Sequence, residues 1–152
     1  MAKTKTRIVL PYNLTCSIKD ICPSAEFLGI NHLHDYALTY RSGMLTAEER
    51  KGHIVDTPVY MIDADEEKHL DKLVCSPGVK KSELTITVTI DGRIVKRKAL
   101  MYVMDSKEPL SLPTPEYLRL CAEALAHAGV EFIPIFDAYI ETRQIIMNKA
   151  DA

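Results

Sequence analysis

The side chains able to move a proton or attack a carbonyl are few in this chain and widely spaced. Glu83 opens a strongly alternating stretch. A carboxylate there, at the mouth of a pocket, could serve as general acid or base if partial burial raised it toward neutrality. The same residue also reads as a solvated glutamate at a strand start. Cys75 could be a nucleophile, but a reactive thiol needs a base or a positive microenvironment. Its nearest histidines along the chain are His53 and His69. His32 and His34, with Asp35, alternate like a strand end. Two imidazoles without a further ligand are poor support for zinc, so a surface turn is expected there. Cys16, Cys22, Cys75 and Cys121 form no C-x-x-C pair and no Cys/His metal spacing. Neither a metal nor a cofactor is expected.

Composition narrows the function classes. The 152 residues fit one domain, expected over 1–152 with its core at about 7–140. Hydrophobic residues make up 47% and charged residues 26%, the usual balance for a globular protein. A net charge of −2 provides no broad basic field, so nucleic acid is not an expected partner. Arg93, Lys96, Arg97 and Lys98 do cluster, beside a turn, and read as a solvated edge that resists strand-to-strand aggregation. No apolar run approaches the ~20 residues of a membrane span. Behind the basic start only Ile8-Val9-Leu10 precedes Pro11, too short for a signal-peptide core. A cytoplasmic protein with reduced thiols and no membrane association is therefore expected.

The elements that must position these residues follow from periodicity. Arg7 to Tyr12 reads as a strand closed by Pro11, and residues 13–23 as a polar connection. Ala25 to Ile30 and Tyr36 to Tyr40 read as short strands with Asn31 to Asp35 between them. Ser42-Gly43 and Lys51-Gly52 read as turns or loops. Val55 to Ile62 reads as a strand that Pro58 confines to an edge or a bulge. Asp63 opens a short helix with Glu66 in capping-box position and Leu70 and Leu73 facing inward. From Glu83 to Ile90, Leu84, Ile86, Val88 and Ile90 share one face and three threonines the other. Asp91-Gly92 then predicts a tight hairpin to a partner strand over Ile94 to Met104. Thr114 and Pro115 start a helix that Gly129 ends, with Leu118, Cys121, Leu125 and Ala128 on one face. A last helix is expected over roughly Phe136 to Met147. Strands first and helices late predict an α+β fold with a small mixed, largely antiparallel β-barrel and packed helices.

Several segments, in this order, resemble the gamma-glutamylcyclotransferase-like family. That family's first strand ends in Tyr-Gly-Ser-Asn, and here the strand ends in Tyr12-Asn13-Leu14. Pro23-Ser24-Ala25 then leads into a strand, as in the family. Gly43 to Leu73 follows the pattern without a gap, through a helix ending in Leu70-Asp71. Pro113-Thr114-Pro115-Glu116-Tyr117 matches the signature that opens a late helix. The resemblance implies a barrel with a pocket at one end. In active members the glycine-containing loop offers backbone N–H groups to an amino-acid-like substrate. A glutamate in Leu-Asp-x-x-Glu-Gly then deprotonates the α-amine, which attacks the γ-carbonyl to release 5-oxoproline.

Both features are altered in this chain. Val74 occupies the glutamate position, and Gly78-Val79 follows only after the insertion Cys75-Ser76-Pro77. The Gly-Ser of the first loop is missing. The pocket that the resemblance implies is lined by Tyr12, Asn13, Leu14, Val74, Cys75 and Glu83, with Cys16 at the same end. The expected function is a repurposed or non-catalytic member of the fold that binds a small amino-acid-like or amide ligand, or a protein partner. The alternative is a divergent enzyme on a gamma-glutamyl or other amide substrate, with Glu83 or Cys75 as the relocated catalytic group. An assembly role through the barrel edge ranks behind both, since Pro58 and the Arg93–Lys98 charges oppose open edge pairing.

Overall fold

The computed structural model describes residues 6–74 and 76–150. In chain order the elements are β1 (Arg7–Val9), α1 (Ile18–Ile21), β2 (Glu26–Arg41), β3 (Met44–Ile62), α2 (Ala64–Leu73), β4 (Val79–Ile90), β5 (Arg93–Met104), α3 (Pro115–His127) and α4 (Ile133–Ala150). The strands form one mixed, mostly antiparallel sheet in the order β2-β3-β1-β5-β4. Among the described residues, the one parallel pairing joins β1 to β5, with Ile8 opposite Ala99. The α+β reading holds. The ladder, however, stops at β2 and β4, so the expected barrel is not closed by strand pairing. The two edges still approach each other: Asn31 Nδ2 donates to Thr87 O at 3.1 Å across the seam. A cleft of ≈ 570 Å³ runs along it, between Ile30–His34 and Leu84–Thr87.

The β2–β3 hairpin is longer than the sequence pattern suggested. Asn31 to Asp35 does not separate two strands; it continues β2 in register with β3. Asp35 takes φ of 65° and marks an irregularity, where its carboxylate accepts the Gly52 N–H at 2.9 Å. Lys51-Gly52 thus lies in an irregular stretch within β3 rather than in a separating turn. The reversal falls at Ser42-Gly43, both with positive φ, the geometry that a two-residue hairpin turn requires. Asp91-Gly92 turns the β4–β5 hairpin in the same way. The last helix also exceeds its expected bounds at both ends.

Alternation divides the buried side chains between the two faces of the sheet. Ile8, Val59, Ile86, Ala99 and Met101 meet α3 and α4 through Cys121, Leu125, Ile135 and Ala138. On the other face Val9, Ile62, Leu100 and Tyr102 pack with Leu14, Ile18, Cys22 and Leu70 from α1, α2 and their flanks. Leu73, expected inward, is 56% exposed, while Val74 just beyond it packs on this second cluster. The helix has made its last inward turn at Leu70.

Buried phenols and thiols make the fold sensitive to alkali. Tyr40 OH donates to Ile135 O at 2.6 Å, and Tyr117 OH accepts the Leu45 N–H at 3.0 Å. Burial raises the Tyr12, Tyr40, Tyr102 and Tyr117 phenols well above the ordinary range. It also pushes the Cys22 and Cys121 thiols up to about 11. A raised folded-state pKa contributes stability that is complete below the unfolded value and is lost as pH climbs toward the folded one. Stability is therefore expected to fall from about pH 8.5 as unfolded-state thiols ionise, and more steeply above about 10 as phenols do. Absorbance at 295 nm should show part of the seven tyrosines ionising only as the chain unfolds. Complete ionisation while near-ultraviolet circular dichroism stays native would contradict this burial.

Candidate functional site

Beyond Val9 the β1 ladder runs out, and side chains take over the joining of β3 to β5. Tyr12 is 1% exposed. Its hydroxyl accepts the Ala47 N–H at 3.0 Å and donates to Tyr102 O at 2.8 Å. Asn13 Nδ2 donates to Leu45 O at 3.0 Å and Tyr102 O at 3.3 Å. Thr46 Oγ1 accepts the Met104 N–H at 2.9 Å beside them. Pairing an otherwise stranded backbone group avoids a penalty of roughly 1–3 kcal/mol. The hydroxyl of Tyr12 and the amide nitrogen of Asn13 thus already serve the sheet.

Leu14 and Val74 meet in the apolar cluster beneath α1 and α2. Val74 caps α2, its N–H bonded to Leu70 O at 3.1 Å. Cys75 lies outside the described residues. Glu83 sits on β4 opposite Leu100, on the face of this cluster. Its half-exposed carboxylate pairs with Lys98 at 3.5 Å. Tyr12, Asn13, Leu14 and Val74 therefore converge around Tyr102, whereas Glu83 turns to a surface lysine. Gly78 has φ of 87°, and the Glu108 side chain lies where a β-carbon would project.

Two carboxylate arrangements here escaped the sequence reading. Glu66 was legible as a cap, and the complete capping box with Asp63 is present. Its second role was not: it accepts Ser24 N at 2.9 Å and Ser24 Oγ at 2.7 Å, fastening the Pro23-Ser24-Ala25 loop to α2. Beside it Asp71 accepts the Tyr102 hydroxyl and pairs with Lys81, which also bonds Glu67. Arg7 Nε reaches Glu67 at 2.7 Å. Burial, then Asp71, raise the Tyr102 phenol. Burial alone would lower Lys81, but its two carboxylates hold it above its ordinary value. The signal available was the four-residue spacing of Glu67 and Asp71, which sets both carboxylates on one face of α2.

A small cavity lies between the connection after β1, β3 and the end of α3. Leu14, Cys16, Ser17, Tyr60 and His127 help line it, and it measures ≈ 40 Å³. That is room for a few waters, against the roughly 300 Å³ or more of a typical ligand site. Cys16 is half-buried, and burial and then Asp20 raise its thiol, which disfavours the nucleophilic thiolate. His32 is paired with Asp56 at 2.5 Å. Among the described residues, no three His, Cys, Asp or Glu are placed to hold a metal ion. No helix is long and apolar enough to cross a membrane among those residues.

The architecture is that of the gamma-glutamyl cyclotransferase-like fold. It is similar to a solved structure of gamma-glutamyl cyclotransferase, with a TM-score of 0.67 and 16% identity over 87% of this chain and 85% of that one. An uncharacterized Homo sapiens protein matches with a TM-score of 0.68 and 17% identity, covering 89% of this chain and 87% of that one. A protein from Arabidopsis thaliana matches with a TM-score of 0.52 and 16% identity, covering 85% and 83%. By sequence, no family model and no curated protein matches. The likeness is one of fold.

Proposed function

We propose that this chain is a non-catalytic, repurposed protein on the gamma-glutamyl cyclotransferase-like fold, acting by binding a small amino-acid-like or amide ligand. One observation carries the loss of catalysis. Val74, where the family pattern places glutamate, packs with Leu14, Ile18, Leu70 and Tyr102 in an apolar cluster. Around it the hydroxyl of Tyr12 and the amide of Asn13 are bonded to the sheet backbone. Valine transfers no proton, and the hydroxyl of Tyr12 and the amide N–H groups of Asn13, already bonded to the sheet, do not replace it as a proton carrier.

The test is release of 5-oxoproline from a panel of gamma-glutamyl amino acids and amines, followed by mass spectrometry beside an active relative. No release above the protein-free rate is expected. A melting-temperature rise with amino acids or amides, without turnover, supports the binding reading through linkage. Clear turnover overturns it. Its loss in Glu83→Gln or in Cys75→Ala would then identify the relocated group.

A further inference from the structure

Helix α4 buries Ile135, Ala138 and Thr142 against the rest of the fold and turns a second apolar stripe outward. Ile133 is 58% exposed, Phe136 37%, Ile140 66% and Met147 44%. At about 100° per residue, with Ile140 as zero, Ile133 and Met147 lie ~20° to either side. Phe136 and Gln144 lie ~40° to either side, so the stripe is narrow and about 21 Å long. On one flank it runs into an apolar groove of ≈ 430 Å³ between α3 and α4, where Leu118, Ala122 and Ala126 adjoin Phe132 and Phe136. Those two rings stack edge-on at 5.9 Å. The charges at the rim of the groove are satisfied locally, Arg119 bonding both Glu116 and Glu123 at 2.6 Å. A continuous exposed apolar surface of this kind marks an interaction site.

The stripe matches itself. Ile133 and Met147 stand seven residues either side of Ile140, and Phe136 and Gln144 four residues either side. We infer that α4 docks on α4 of a second copy, antiparallel, across a two-fold axis at Ile140. A two-fold contact needs one patch complementary to itself. In this register Ile140 meets its own mate and Ile133 meets Met147. Charge then selects the direction. Asp137 and Arg143 flank the stripe on opposite sides, ~60° from Ile140 and about 4.5 Å to either side of it along the axis. Antiparallel packing sets Arg143 over the Phe136 ring of the mate, a favourable cation–π contact, and Asp137 beside the mate's Gln144 amide. Parallel packing instead sets the Asp137 carboxylate against the negative face of the Phe136 ring, where it is repelled.

Sedimentation equilibrium of the full chain over a wide concentration range tests this. A monomer–dimer equilibrium is expected, and Ile140→Glu should weaken it at least tenfold with circular dichroism unchanged. The register is read separately by crosslinking with copper phenanthroline, the linked peptides being located by mass spectrometry. Ile140→Cys should link to itself. Ile133→Cys should link to Met147→Cys in a mixture of the two variants, and not to itself. A monomer at every concentration overturns the inference, as does a dimer indifferent to Ile140→Glu. A 133-to-133 link overturns the antiparallel register, even if Ile140→Glu fails to fold.

Discussion

Glu66→Ala is expected to lower stability by about 2–4 kcal/mol, roughly 5–15 °C in Tm for a chain of this size. The side chain is buried, and its oxygens accept Ser24 N, Ser24 Oγ and Asp63 N. Alanine would strand the Ser24 and Asp63 N–H groups, dissolve half of the capping box and open a gap beside Cys22, whose thiol donates to Glu66 O at 3.6 Å. Glu66→Gln keeps the shape and one acceptor oxygen, so its loss should be about half as large. Chemical denaturation of both variants checks the order. Equal losses would mean that the full acceptor pair, rather than the shape of the side chain, holds the loop to α2.

Val74→Glu is expected to restore no 5-oxoproline release, although it returns the carboxylate to its place in the family pattern. The altered first loop and the committed side chains of Tyr12 and Asn13 are untouched by that change. The substitution also sets a carboxylate against Leu70, Leu14 and Tyr102. Val74 is only half-buried, so the charge can lean toward water, and the cost is estimated at about 1–3 kcal/mol. Thermal denaturation and the product assay, run together, check both halves. Turnover in Val74→Glu alone would show that this one position was the whole deficit.

The sequence carried local geometry well. Asp63 with Glu66, Thr114 with Pro115, and Asp91-Gly92 each encode their cap or turn within four residues, and all three form. The β2–β3 hairpin was hidden because Asn31 to Asp35 are polar, and polar residues read as a break. His32 and His34 face outward on either side of buried Leu33, on a strand whose pairing is decided by β3, some twenty residues away. Barrel closure was overstated because alternation reveals which faces are buried, not whether two edges meet. At the candidate site Val74 was legible as an apolar residue where the resemblance implies a glutamate, but the cluster it packs against was not. That Tyr12 and Asn13 serve the backbone was not legible, because their partners Ala47, Leu45 and Tyr102 are 32 to 90 positions distant. Glu66 shows the same limit, its local bond foreseen and its 42-residue reach to Ser24 not.

The place of β1 sets an order on folding. The β2–β3 hairpin turns on two residues and can zip as soon as residue 62 has been made, since its contacts are local. β1 is synthesised first, yet it is flanked by β3 on one side and by β5 on the other, with Val9 opposite both Tyr60 and Leu100. During translation at about 5–20 residues per second, its second neighbour is not made until some five to twenty seconds after β1 itself. Until then the apolar Ile8-Val9-Leu10 segment has only half of its final surroundings. The step that commits this chain to its native topology is therefore the docking of the β4–β5 hairpin alongside a strand that has waited for it.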